Sequence, residues 1–357
     1  MKRTLLLLLV CLLFSISIFG CTQPDVPQEP AVATPEPAVP VQESPAVPDD
    51  IPTPEQNPDS EPVVEGVKLN IVTTIFPQYD WVYQILGDKA EFKDVTLLLN
   101  NRIDLHNFQP SVSDIALIST CDLFIYIGGE SDAWVEAVLE QALNPNMVVI
   151  NLLVLLGENA LIDEEIDDGR HHHHHHHDDE FDEHVWLSLR NAITFINVIV
   201  NALSSLDPDL SEVYITNGSE YIDHLYALDL EYSQVVSNAS RNTLLFADRF
   251  PFRYLMHDYG LNFFAAFSGC SAETEASFQT IAFLTKKVDE HDLTAIMVTE
   301  SANISIAETI IGNTADKNQR ILVLDSMQSS NDVDRQHGIT YLSIMEENLR
   351  VLKEALD

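Results

Sequence analysis

Seven short apolar runs punctuate this chain, and their spacing constrains its fold more than any other feature. They are LNIVTTIF (69–76), LFIYIG (123–128), MVVINL (147–152), TLLFAD (243–248), FFAAFSG (263–269), AIMVTE (295–300) and RILVLD (320–325). Each is rich in β-branched or aromatic residues and bounded by polar or turn-forming ones, the pattern of a buried strand. Helical patterns lie between many of them. SVSDIALIS (111–119) sets a serine cap before an amphipathic stretch, and ASFQTIAFLTKKVDEH (276–291) carries Phe278, Ile281, Ala282, Leu284 and Val288 at helical spacings. Such alternation implies an α/β chain with parallel sheets covered on both faces. The stretch from Leu189 to Ser237 reads as purely helical, with Tyr221, Leu225, Leu228, Tyr232 and Val235 in one apolar stripe. The simplest architecture is two α/β lobes joined by a long helix. Sheets of this kind bind ligands beyond the carboxyl ends of their strands. That rule singles out Asp248 and Glu300, which end TLLFAD and AIMVTE. The competing roles are a helix cap or a salt bridge, and Arg249 stands beside Asp248 as a partner.

The chain begins MKRTLLLLLVCLLFSISIFGC, a charged start followed by an apolar run, as in an export signal. The run is short for a membrane span, and IFGC resembles a bacterial lipobox whose lipidated cysteine is Cys21. Proline and acids then recur to residue 66 without an aromatic residue, a composition that stays extended and disordered. The expected organisation is a lipoprotein signal at 1–21, a disordered Pro/Glu-rich tether at 22–66 and a first α/β lobe at 67–187 with a His-rich acidic loop at 158–183. A helical linker region at 188–240 and a second α/β lobe at 241–357 complete it. The compartment is the extracytoplasmic face of the cell membrane, with attachment through the lipid anchor. Cys121 and Cys270 are left to pair or to lie buried as free thiols.

With 56 acids against 18 bases and a formal charge of −38, nucleic acid is excluded as an expected partner, because its phosphates would be repelled. An acidic field concentrates cations, and it also serves solubility. Residues 169–186, GRHHHHHHHDDEFDEHVW, hold seven consecutive histidines: His171, His172, His173, His174, His175, His176 and His177. Such a tract lacks apolar side chains for a core and is an accessory, low-affinity metal-collecting loop. No HExxH, nucleophile elbow or P-loop occurs, so no enzyme activity is expected.

Six further histidines are His106, His184, His224, His257, His291 and His337. Four sit in polar or helix-end contexts and read as structural. The contexts of the other two are Asp104-Leu105-His106-Asn107-Phe108-Gln109-Pro110 and Asp182-Glu183-His184-Val185-Trp186-Leu187. Both resemble segments of the zinc- and manganese-binding lipoproteins that serve bacterial ABC transporters. The resemblance extends from about Val67 to the C-terminus. It implies two Rossmann-like α/β lobes, a single linking helix and a metal enclosed between the lobes, with His106 and His184 as ligands. It also implies a monomeric receptor, not an enzyme, that captures Zn2+ (Mn2+ being the alternative) for a membrane permease. Relatives carry a third ligand, histidine or glutamate, ahead of an aromatic helix ending in Tyr-Gly-Leu. In FADRFPFRYLMHDYGL gapless counting lands on Arg249, which cannot ligate a cation, and a slip of one residue lands on Asp248. Asp248 is therefore the expected third ligand, with Glu273 and Glu275 in reserve, and Glu300 matches the fourth position. Two imidazoles and two carboxylates suit zinc and leave manganese open, and the His tract favours zinc. A surface metal scavenger or adhesin is the reading from another class. Binding is expected to weaken as pH falls through about 6, where free histidines become charged.

Overall fold

Parallel pairing dominates the structure, a computed structural model that describes residues 66–100, 105–163, 180–269, 275–328 and 338–357. These residues all fall within one compact unit, Glu61–Asp357. The signal, Cys21, the tether before Gly66, His171 to His177, Cys270, Glu273 and His337 lie outside the described residues.

The first sheet has the order β2-β1-β3-β4, built from β1 (Asn70–Thr73), β2 (Asp94–Leu97), β3 (Leu123–Tyr126) and β4 (Val148–Asn151). The second has the equivalent order β6-β5-β7-β8, from β5 (Thr243–Phe250), β6 (Asn262–Ser268), β7 (Ala295–Val298) and β8 (Arg320–Val323). The ladders between these strands are all parallel, so each connection needs a crossover. Helices supply most of them: α1 (Phe76–Leu86), α2 (Val112–Thr120) and α3 (Trp134–Leu139) in the first lobe, where α4 (Leu152–Leu156) follows β4. In the second lobe they are α7 (Arg253–Tyr259), α8 (Phe278–Glu290) and α9 (Ser305–Asn313). The seven apolar runs all contribute strand residues, but β2 is an eighth strand that they do not include. Its sequence DVTL mixes polar and apolar residues because it lies at a sheet edge, with Asp94 exposed and only Leu97 buried.

The helical region resolves into α5 (Leu189–Leu206) and α6 (Ser211–Asn238), separated by a short turn at Pro208–Leu210. Proline lacks the amide that a continuing helix needs, and it starts the turn instead. On α6, Tyr221, Leu225, Leu228 and Tyr232 are buried and Val235 packs against them, as the stripe predicts. On α8 the stripe shifts: Leu284 and Val288 are buried, while Phe278, the first helical residue, is 86% exposed. The serine cap forms at the predicted place, Ser111 accepting from the Asp114 amide, and Ser277 caps α8 in the same way by accepting from the Thr280 amide.

Strand alternation divides the core. On β5, Leu244 and Phe246 face one apolar cluster, while Leu245 and Ala247 face another, as side chains a residue apart must. The larger cluster runs without a break from the first lobe through α5 and α6 into the second lobe and α10 (Tyr341–Leu356). At the start of α10 the Tyr341 amide donates to Asp80 on α1 at 3.0 Å, and the Tyr341 hydroxyl donates to the Trp186 carbonyl at 2.8 Å. Burial pushes the Asp80 carboxyl up to about 6, against the opposing pull of its hydrogen bonds from Tyr341, Gln84 and Tyr221. Cys121 is a buried free thiol, and burial holds it up at about 12.

Candidate metal centre

His106 lies in a short 3-10 turn, Leu105–Asn107, ahead of α2. Leu105 and Phe108 on either side are buried at 2% and 6% exposure, so the turn is pinned to the core by its neighbours. Its Nδ1 is 2.8 Å from the Ser131 hydroxyl and 3.7 Å from Glu183 Oε2. Burial raises the Glu183 carboxyl above its ordinary range, countered by hydrogen bonds from Ser131. Gly129 makes room for that carboxylate. Its φ is +84°, and a Cβ there would collide with Glu183 Oε1.

His184 precedes a short turn, Val185–Leu187, and its side chain is fully buried. Asp182 Oδ1 accepts from the His184 amide at 2.8 Å and lies 3.0 Å from its Nδ1. A carboxylate only accepts, so this contact puts the ring proton on Nδ1 and the lone pair on Nε2. That Nε2 is buried and has no hydrogen-bond partner. The rings of His106 and His184 face each other with centroids 5.5 Å apart and planes at 64°. The two histidines are thus brought together, and second-lobe groups close around them. Gly269, just past β6, lies so near that a Cβ on it would sit 2.9 Å from His184 Cε1. Trp186 donates through Nε1 to the Ser326 carbonyl at 2.9 Å.

The expected carboxylates hold other partners. Asp248 lies inside β5, not at its end, and its Oδ2 accepts from the Thr299 amide at 3.2 Å and from the Thr299 hydroxyl. Ladder pairing steps from Phe246 to Arg249 on β5 while moving only from Ala265 to Phe267 on β6, so β5 carries one extra residue here. Glu300 lies two residues past β7, and its carboxylate accepts from the Ser326 amide at 2.9 Å and hydroxyl at 3.0 Å. Glu275 is exposed. Among the described residues no group of three or more His, Cys, Asp or Glu side chains is assembled to hold a metal ion.

Two features went unnoticed in the sequence. The residues flanking the His-rich segment are zipped: Ile162 bridges Phe181 antiparallel, the Asp163 amide donates to the Glu180 carbonyl and the Asp182 amide to the Leu161 carbonyl, both at 2.8 Å. The second is a cavity of about 1170 Å³ beside His106 and Glu183, lined also by Phe108, Trp134, Phe181 and Asp163.

A family model described as ZnuA, zinc-uptake complex component A periplasmic, matches residues 71–355. The chain belongs to this family. Among ZnuA-family relatives, the zinc-binding lipoprotein AdcA of Streptococcus pneumoniae is 34% identical over 294 residues, covering 81% of this chain and 56% of AdcA. The chain therefore spans little more than half the length of that relative. The high-affinity zinc uptake system protein ZnuA of Bacillus subtilis is 32% identical over 294 residues, covering 82% of this chain and 89% of that protein. The Zn(II)-bound ZnuA-like domain of S. pneumoniae AdcA superposes with a TM-score of 0.64 at 31% identity, over 82% of this chain and 100% of that one. The metal-dependent lipoprotein YcdH of B. subtilis gives a TM-score of 0.67 at 28% identity, over 81% and 99% of the two chains. These likenesses agree with the two parallel-sheet lobes of the ZnuA-family fold.

Proposed function

We propose that this protein is an extracytoplasmic receptor that captures Zn(II) at the junction of its lobes and passes it to an ABC-type permease in the membrane. The observation that carries the reading is His184 Nε2, buried, without a hydrogen-bond partner and beside His106. An imidazole nitrogen in that state is costly unless something ligates it, and a hydrogen bond from its other nitrogen to a carboxylate is the usual support of a ligating histidine. In this reading His106 and His184 bind through imidazole. Asp248 and Glu300 complete the set by exchanging Thr299 and Ser326 for the ion. The zinc named in the relatives favours Zn(II) over Mn(II). The receptor works as a monomer, held to the membrane by a lipid on Cys21, with His171 to His177 as the accessory collector.

Calorimetric competition of zinc against manganese tests this, with His106→Ala, His184→Ala and Asp248→Ala measured beside the unaltered protein. A single tight zinc site weakened by each substitution is the expected result. Tighter manganese binding makes the protein a manganese receptor. A tight site indifferent to both histidine substitutions refutes the placement, and no tight site for either ion turns the reading to a surface scavenger.

A further inference from the structure

The geometry points to Arg253 as a positioning residue for the metal centre, acting from the second lobe through Asp182 on His184. The inference rests on the proposed role of His184. Asp182 presents its two carboxylate oxygens to different lobes. Oδ1 holds the His184 amide and Nδ1 at 2.8 and 3.0 Å, and Oδ2 lies 3.4 Å from Arg253 Nε. The same guanidinium donates from Nη2 to Asp163 Oδ1 at 3.1 Å. One cation thus faces two carboxylates, one on each arm of the zipped pair that flanks the His-rich segment. All three side chains are at least four-fifths buried, at 10%, 1% and 17% exposure for Arg253, Asp182 and Asp163.

Three observations argue that this cation serves the centre and not its own helix. Arg253 is the first residue of α7, where the helix dipole disfavours positive charge. Burial raises the Asp163 carboxyl, and the charge of Asp182 raises it further while Arg253 opposes both. Two carboxylates at this spacing without the guanidinium would repel each other, and Asp182 would relieve the repulsion by turning away from His184. The neighbouring residue supplies a separate fastening: the Tyr254 hydroxyl donates to the Asp182 carbonyl and accepts from the Leu161 amide, both at 3.0 Å. Tyr254 holds the same stem without touching the Asp182 carboxylate, so the two roles are separable.

The chemistry follows from the breadth of the guanidinium, which donates to Asp163 and forms an ion pair with Asp182 at 3.4 Å. Arg253 keeps Asp182 aimed, Asp182 keeps the His184 proton on Nδ1, and Nε2 stays available to the ion. Removing an outer partner of a metal ligand weakens metal affinity by roughly 10- to 100-fold.

The test compares the unaltered protein with Arg253→Gln, Arg253→Lys, Tyr254→Phe and His184→Ala. Zinc affinity is read by competition with a chromophoric chelator, and the His184 imidazole by nitrogen NMR of the zinc-free protein. Expected is a loss of about 10- to 100-fold in Arg253→Gln, a His184 signal moved away from the Nδ1–H form, and recovery of both in Arg253→Lys. Tyr254→Phe is expected to stay within about threefold with its imidazole signal unmoved. Arg253→Met fills the place without charge and carries the test if the glutamine variant does not fold. Unchanged affinity on removing the charge overturns the inference. So does an equal loss in Tyr254→Phe with the His184 signal unmoved, which would make Arg253 a fastening of the stem. Indifference to His184→Ala would instead sink the metal-site reading itself.

Discussion

Replacing Gly269 with alanine is expected to damage the proposed metal centre and the fold together, by amounts that follow from contacts in the structure. The added Cβ would lie 2.9 Å from His184 Cε1, 2.9 Å from the Phe250 carbonyl oxygen and 3.2 Å from His184 Nδ1. Carbon atoms rest at about 3.5–4.0 Å, so the ring contact is too close by about 0.6–1.1 Å. The Phe250 carbonyl belongs to β5 and cannot retreat without bending a strand. The His184 ring must therefore move, and it is buried and tethered through Nδ1 to Asp182. Overpacking of this kind costs about 1–3 kcal/mol. At about 2–4 °C per kcal/mol for a domain of comparable size, the melting temperature falls by roughly 2–12 °C. Zinc–nitrogen bonds tolerate about ±0.2 Å, so zinc affinity should fall by about tenfold or more. Calorimetric melting of the zinc-free protein and chelator competition on the same preparation read the two effects. Gly260→Ala is the control: Gly260 closes α7 at a φ of +66° with nothing within 4 Å of the added atom, so it should lose about 1 kcal/mol of stability and no affinity. A Gly269→Ala protein that binds zinc within about twofold and melts within about 1 °C of the original would refute the packing of His184 described above.

Three further outcomes are expected. Asp80, pushed up to about 6 by burial, takes up a proton in the folded protein between about pH 4 and 6 that the unfolded chain does not. Its contribution is full below pH 4 and is lost as pH rises through 6, by about 3 kcal/mol for a shift of two units. Asp80→Asn should thus gain on the original protein by up to that amount between pH 4 and 7 in urea unfolding, and a difference constant with pH would contradict the burial argument. Deleting His171 to His177 should lower total zinc stoichiometry while leaving one tight site; losing every tight site would make the tract the binding site. In hydrogen exchange, the Tyr341 amide should be protected alike with and without zinc, because it is bonded to buried Asp80. A tenfold faster exchange without zinc would show the lobes parting at α10.

How much of this was legible in the sequence depends on how local the deciding physics is. Strand runs, the Ser111 cap and the α6 stripe are set by residues close in sequence, and they appear where expected. Strand β2 was hidden because an edge strand buries only part of itself, and DVTL lacks a continuous apolar signal. The break between α5 and α6 went unread, although Leu206-Asp207-Pro208 carries a proline that argues against one unbroken helix. Gapless counting landed on Arg249 rather than the expected Asp248, and the structure shows why a slip of one residue arises there. The extra residue of β5 falls between Phe246 and Arg249, so counting along the chain loses track of which side chain faces which side at that point. His106 and His184, which the structure brings side by side, were singled out because their flanking residues bear a recognisable pattern. Arg253 was not, because its partners Asp163 and Asp182 lie 90 and 71 positions away, and nothing beside it foretells them.

The same long-range contacts bear on how an ion enters and leaves. A wide hinge between the lobes would cut the large apolar cluster that both share. It would also break Tyr341 from Asp80 and from Trp186, Trp186 from Ser326, and Arg253 from Asp182. Each buried polar group left without a partner costs about 1–3 kcal/mol, so separating even these few would approach the whole stability of an ordinary domain. The contacts of Asp248 with Thr299 and of Glu300 with Ser326 are different in kind. Each lies within the second lobe, is only partly buried and can be exchanged by turning a side chain. With His106, His184, Asp248 and Glu300 as the proposed ligands, ion capture is better served by local exchange of carboxylates around two fixed imidazoles than by opening a cleft, which would put the fixed half of the proposed centre in the first lobe and the moving half in the second.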